Sequence, residues 1–151
     1  MIRDDIKSAL VAAMKARDSA QTGTLRLIQA ALKNRDIEAR TGAAPADDDS
    51  LVVDVLNKMA KQRRESITLY EQGNRAELAA AEAAELAIIE SFLPRRMDEA
   101  ETKAAIDAIA EELGAVSQKD MGRVIAALKA RHGTSLDMAK ASGLVKARLA
   151  S

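Results

Sequence analysis

Leu51-Val52-Val53-Asp54-Val55-Leu56-Asn57-Lys58-Met59-Ala60-Lys61-Gln62-Arg63-Arg64-Glu65-Ser66-Ile67-Thr68-Leu69-Tyr70 reads as one long amphipathic helix, and the rest of the chain follows its pattern. At 100° per residue, Val52, Val55, Leu56, Met59, Ile67 and Tyr70 fall on one face, as a core stripe requires. Lys58, Lys61 and Arg64 fall on the opposite side, but Arg63 sits in the middle of the apolar stripe. A guanidinium drawn out of water needs a paired, hydrogen-bonded partner. The next helical segment offers one. There Leu78, Leu86, Ile89 and Leu93 share an arc with Glu82 and Glu85, so the pattern predicts that Arg63 meets Glu82 or Glu85 across the contact of two helices.

Outward from this pair, apolar residues recur with helical period almost everywhere, and no strand-type alternation competes with it. The expected fold is all-α, with seven helices over about 2–18, 23–40, 50–72, 75–92, 98–113, 117–131 and 135–150. The first helix rests on Ile2, Ile6, Leu10 and Met14, and the second on Leu25, Ile28 and Leu32; the last uses Leu136, Leu144, Val145 and Leu149, with Ser142-Gly143 obscuring its start. Thr41 to Ser50 combines Gly42, Pro45 and Asp47-Asp48-Asp49, a loop whose carboxylates lie by a helix N-terminus. Pro94 disfavours helical geometry at Leu93, placing a boundary there between a four-helix N-terminal bundle, 1–93, and a three-helix C-terminal lobe, 94–151. Asp98 with Glu101, and Ser117 with Asp120, have the spacing of a helix-start capping pair. Gly114 and Gly133 are placed for left-handed helix ends. Three short helices bury little, so the second lobe is expected to be marginal or mobile unless it docks.

Composition removes most chemistries. There is no Cys, one His and only two aromatic residues, Tyr70 and Phe92, so a zinc ribbon, a disulfide framework and a Cys nucleophile are excluded. Inward carboxylates such as Glu82 and Glu85 suggest acid–base or di-metal chemistry, but neither is followed by the His of a Glu-x-x-His repeat, and an ion pair fixing helix register is the preferred reading. No phosphate-binding glycine loop occurs, and neither cofactor nor metal is expected. The acid-bearing N-terminus and the lack of a long apolar run point to a cytoplasmic protein without a membrane partner.

Basic and acidic residues balance at 23 each, yet they are unevenly placed. Residues 115–151 hold seven basic side chains, Lys119, Arg123, Lys129, Arg131, Lys140, Lys146 and Arg148, against two acids. Such a stretch suits nucleic-acid phosphates, and equally a solvated helix surface. Lys119 and Arg123 stand opposite the Met121, Val124, Ile125, Leu128 stripe, with Lys129, Arg131, Lys140 and Lys146 extending the candidate surface. With so few aromatics, any RNA contact should be to backbone and shape rather than to stacked bases. The basic run Lys58 to Arg64 is a weaker patch, since Arg63 is used in the core and Glu65 lies beside Lys58 and Lys61.

Thr24-Leu25-Arg26, the run Val55-Leu56 through Lys61 to Tyr70, Arg75, Glu77-Leu78, Glu82, Glu85-Leu86, Phe92-Leu93-Pro94, Lys119 to Val124 and Ala141 to Lys146 together resemble the GatB/YqeY family, in order and over nearly the whole chain. The resemblance implies four helices followed by three. It also implies kinship with the helical tail of the B subunit of the tRNA-dependent Asp/Glu amidotransferase, which helps grip tRNA, and with free-standing proteins of this length. The subunit's large catalytic cradle has no counterpart here, so the carbon–nitrogen ligase label with glutamine as amido-N-donor, which longer relatives carry, is expected to be inherited rather than exercised. The first expectation is therefore a tRNA-binding accessory module with no catalytic residue of its own. The second is an adaptor docking on an aminoacyl-tRNA synthetase or amidotransferase, and the last a small enzyme using Glu82, Glu85 or His132, the last of these better placed as a helix cap.

Overall fold

A computed structural model describes residues 1–42 and 47–150. All regular structure among them is helical: α1 Ile2–Lys15, α2 Ser19–Thr41, α3 Asp48–Gln72, α4 Ala76–Glu90, α5 Glu99–Leu113, α6 Met121–His132 and α7 Met138–Ala150, with single 3-10 turns at Gln118–Asp120 and Gly133–Ser135. The all-α class and the seven-helix count agree with the sequence pattern. The chain divides into two compact units, Met1–Leu93 and Pro94–Ser151.

In the first unit, α3 packs along α4, and α1 and α2 join them around Ile6, Leu25, Ile28, Val52, Leu56 and Ile89, all fully buried. Four expected core residues lie outside it, Ile67 and Tyr70 being only half-buried and Met14 and Leu78 exposed. Met14 is 50% exposed and Leu78 38%, while Ala13 and Ala79 are buried beside them. The burial line of α1 runs through Ile6 and Ala13, about 80° around the helix from Met14, and a small side chain at Ala79 lets α4 approach closely. The α1–α2 turn is also tighter than expected. α1 stops at Lys15 because Arg17 adopts a left-handed conformation, φ 56, and α2 begins at Ser19 because the Asp18 carboxylate accepts a 3.0 Å bond from the Gln21 N–H. At the other hairpin the left-handed residue is Asn74, φ 55, and the Arg75 N–H returns to the Tyr70 carbonyl at 2.8 Å. Residues 43–46, including Pro45, lie outside the described residues. Asp47, next to them, caps α3 by accepting from the Ser50 N–H at 2.7 Å.

The second unit closes a core of its own from Ile106, Ile109, Val124, Leu128, Val145 and Leu149. Asp98 and Glu101 form the expected reciprocal cap of α5, and Gly114 ends that helix at φ 64, a conformation that favours glycine. Gly133 departs from expectation. It is right-handed, φ −54, because α6 runs on into a 3-10 turn instead of reversing. α7 starts at Met138 rather than near 135, since the Asp137 carboxylate accepts from the Ala139 and Lys140 N–H groups at 3.1 and 3.4 Å. Leu136 therefore reaches the core from extended backbone, 6% exposed.

Candidate nucleic-acid interface

The first unit keeps its charges between helices. Arg63, on the buried face of α3, donates from Nε to Glu85 Oε2 at 2.8 Å and stands 3.5 Å from Glu82 Oε2, with the three side chains 17%, 33% and 24% exposed. Glu85 is thus the hydrogen-bond partner of Arg63. Glu82 Oε2 is buried without a hydrogen bond among the described residues, so its compensation is the nearby guanidinium charge. Arg64, on the water side, reaches Glu90 at 2.9 Å.

A second cluster has no counterpart in the sequence reading. The Arg3 guanidinium donates to both carboxylate oxygens of Asp36, at 3.0 and 2.9 Å, and to both of Asp48, the shortest at 2.9 Å. The backbone N–H of Ile2 adds a 3.0 Å bond to Asp49. One arginine thereby ties the start of α1 to the last turns of α2 and the first turn of α3. These bonds hold the Asp48 carboxyl below its ordinary range and raise the Arg3 pKa, Asp48 contributing most to the latter. Partners 33 and 45 residues away leave no periodic trace.

The second unit also ties helices together by ion pairs, but nearer the solvent. Arg123 donates to Asp120 at 2.6 Å, Arg131 to both oxygens of Glu112 at 2.7 Å, and Arg148 to Asp107 at 2.7 Å. Glu112 and Asp107 come from α5, which lies outside the cationic stretch as drawn on the sequence. Over 94–151 the excess of basic over acidic residues shrinks to two, because α5 returns carboxylates to α6 and α7. The Asp120 carboxyl is held low by Arg123 and by the N–H groups of Val116 and Ser117; Glu112 is held low by Arg131.

Of the six residues proposed to meet nucleic acid, Arg123 and Arg131 are therefore engaged within the unit. Lys119, Lys129, Lys140 and Lys146 are exposed and have no ion pair among the described residues. They do not form one strip: Lys129 and Arg131 are two residues apart on α6 and point to different sides, while Lys119 sits on the turn before it. His132 is the final residue of α6. Among the described residues there is no group of three or more His, Asp or Glu placed to hold a metal ion.

Among the described residues the chain is an all-helical protein of two compact units, with ion pairs joining helices in each. The chain belongs to the YqeY-like protein family, which matches it over residues 3–149. It is similar to the altered inheritance of mitochondria protein 41, mitochondrial, of Vanderwaltozyma polyspora, 30% identical over 123 residues, or 77% of this chain and 64% of that protein. The protein of the same name in Lachancea thermotolerans is 30% identical over 111 residues, 72% of this chain and 58% of that protein. In Eremothecium gossypii it is 34% identical over 88 residues, covering 58% and 46%. The chain thus spans about half to two thirds of the length of these relatives, whose names call them mitochondrial. No helix of the described residues is long and apolar enough to cross a membrane.

Proposed function

We propose that this chain is a tRNA-binding accessory module, serving tRNA-dependent amidation or aminoacyl-tRNA metabolism in the cytoplasm without catalysing a step itself. The observation that carries the reading is the set of four exposed lysines, Lys119, Lys129, Lys140 and Lys146, left without carboxylate partners in a unit whose arginines are paired. Lysine offers a compact, mobile charge suited to phosphates at several positions. Tyr70 and Phe92 both lie in residues 1–93, which leaves the second unit one stacking ring, the His132 imidazole, so its contacts are chiefly to the phosphate backbone.

The test is a binding titration of the full chain with deacylated total tRNA over a series of salt concentrations. The expected plot of log K against log salt is linear, with a slope of roughly 0.7 to 0.9 per phosphate contact. Tight binding that ignores salt, or no binding at low salt, overturns the proposal. Recovery of a synthetase or amidotransferase by the chain after nuclease treatment, without tRNA affinity, would instead support the adaptor reading.

A further inference from the structure

The outer face of α2, in the first unit, has the layout of a helix-pairing seam. α2 buries Leu25, Ile28 and Leu32. With Leu27 taken as position a of a heptad, those three fall at b and f, on the side of the helix away from the a and d line. Positions a and d then hold Leu27, Ala30, Asn34 and Ile37, all exposed, Leu27 at 48% and Ile37 at 51%. From residue 26 to residue 40 every g position, on one edge of this line, holds a cation. Arg26, Lys33 and Arg40 are exposed, follow one another at intervals of about 10 Å, and have no ion pair among the described residues. The acids near them are placed elsewhere: Asp18 caps the helix, Asp36 is held by Arg3, and Glu38, at e, lies on the other edge of the line. Asn34 adds a device of paired helices, since a single amide at an a position fixes their register.

Leu27 and Ile37 decide the kind of partner. A phosphate backbone would meet the three cations but leave these two side chains in water, whereas an apolar helix ridge removes them from it. A second copy of the chain is a poor match. Antiparallel pairing sets g against g, cation on cation, and parallel pairing answers Lys33 with Glu38 but sets Arg26 against Ala31. We propose that this face of α2 docks an amphipathic helix of another protein, apolar along its own a and d line and carrying Glu or Asp opposite Arg26, Lys33 and Arg40. The face belongs to the first unit, whereas the tRNA reading rests on lysines of the second, so each can fail alone.

The test is an amide-shift titration of the isotope-labelled full chain with two synthetic peptides of about three heptads. Both carry Ile at a and Leu at d; one has Glu and the other Lys at every e and g, which keeps each from pairing with itself. The Glu peptide is expected to give saturable shifts centred on residues 23–41, with a Kd on the order of 100 μM, and the Lys peptide none. Leu27→Gln with Ile37→Gln puts good helix formers at exposed positions, so this double variant should keep its helical signal and its tRNA affinity. It is expected to weaken the Glu peptide at least about tenfold. Arg26→Glu, Lys33→Glu and Arg40→Glu together should exchange the preference, the Lys peptide now binding and the Glu peptide not. Absence of saturable shifts in residues 23–41, an equal response to the Lys peptide, or wild-type affinity in the double variant overturns the proposal. So does tRNA that shifts these amides when the Glu peptide does not, which would assign the face to nucleic acid. A dimer in sedimentation that the double variant dissolves overturns it too, by assigning the face to a second copy.

Discussion

Arg3 and Arg63 in the first unit, and Arg123, Arg131 and Arg148 in the second, are all ion-paired, yet they sit in different surroundings. All but Arg123 join separate helices, but the first two are 23% and 17% exposed and the other three 57%, 45% and 40%. A partly buried guanidinium cannot lose its carboxylate cheaply, because water cannot fully replace it. An exposed one can, because solvent screens the pair. The first unit therefore uses charge to fix helix register. The second pairs its arginines nearer the solvent, and its Lys119, Lys129, Lys140 and Lys146 are exposed with no ion pair among the described residues.

The contrast can be broken in order of expected effect. Leu56→Ala, at a fully buried position, should cost the first unit about 2–5 kcal/mol in denaturant unfolding. A loss below that range would mean the first unit is not the rigid scaffold described. Next is Arg3→Ala, which strands Asp36 and Asp48 and should cost roughly 1–3 kcal/mol at neutral pH. Because the folded Asp48 pKa is depressed, its stabilising share is full above the ordinary carboxylate value and is lost as pH falls through the folded one. The gap between wild type and Arg3→Ala, followed by urea unfolding at a series of pH values, should then narrow in acid; a gap that widens there contradicts the assignment. A double-mutant cycle of Arg63→Ala with Glu85→Gln should give a coupling of about 1 kcal/mol, larger than the same cycle with Glu82→Gln. Smallest of all, Arg131→Ala should leave the unfolding midpoint unchanged within error, and a clear drop would place the second unit's pairs on the footing of the first.

The helical class and the inward placement of Arg63, Glu82 and Glu85 were legible because both are local: a period of 3.6 and an arc of a wheel. The choice between Glu85 and Glu82 as hydrogen-bond partner was not, since both lie on the same arc of α4 and only packing separates 2.8 Å from 3.5 Å. Arg17 gave no sign of ending α1, because arginine seldom takes the left-handed conformation and nothing in its side chain marks it. Asp18 and Asp137 did carry a signal, because aspartate is a favoured helix N-cap, and reading them as caps corrects the starts of α2 and α7. The acids of α5 reach Arg131 and Arg148 only through tertiary contact, so the charge drawn along the sequence overstated the open cationic surface.

The division of roles is tested most directly by comparing two quadruple variants in salt-titrated tRNA binding. One carries Gln at Lys119, Lys129, Lys140 and Lys146, the other Gln at Lys15, Lys33, Lys58 and Lys61, four exposed lysines of the first unit. The account predicts that the first set lowers the slope of log K against log salt by roughly 3 and the second leaves it near wild type. Equal losses from both sets, or a larger loss from the second, would contradict it.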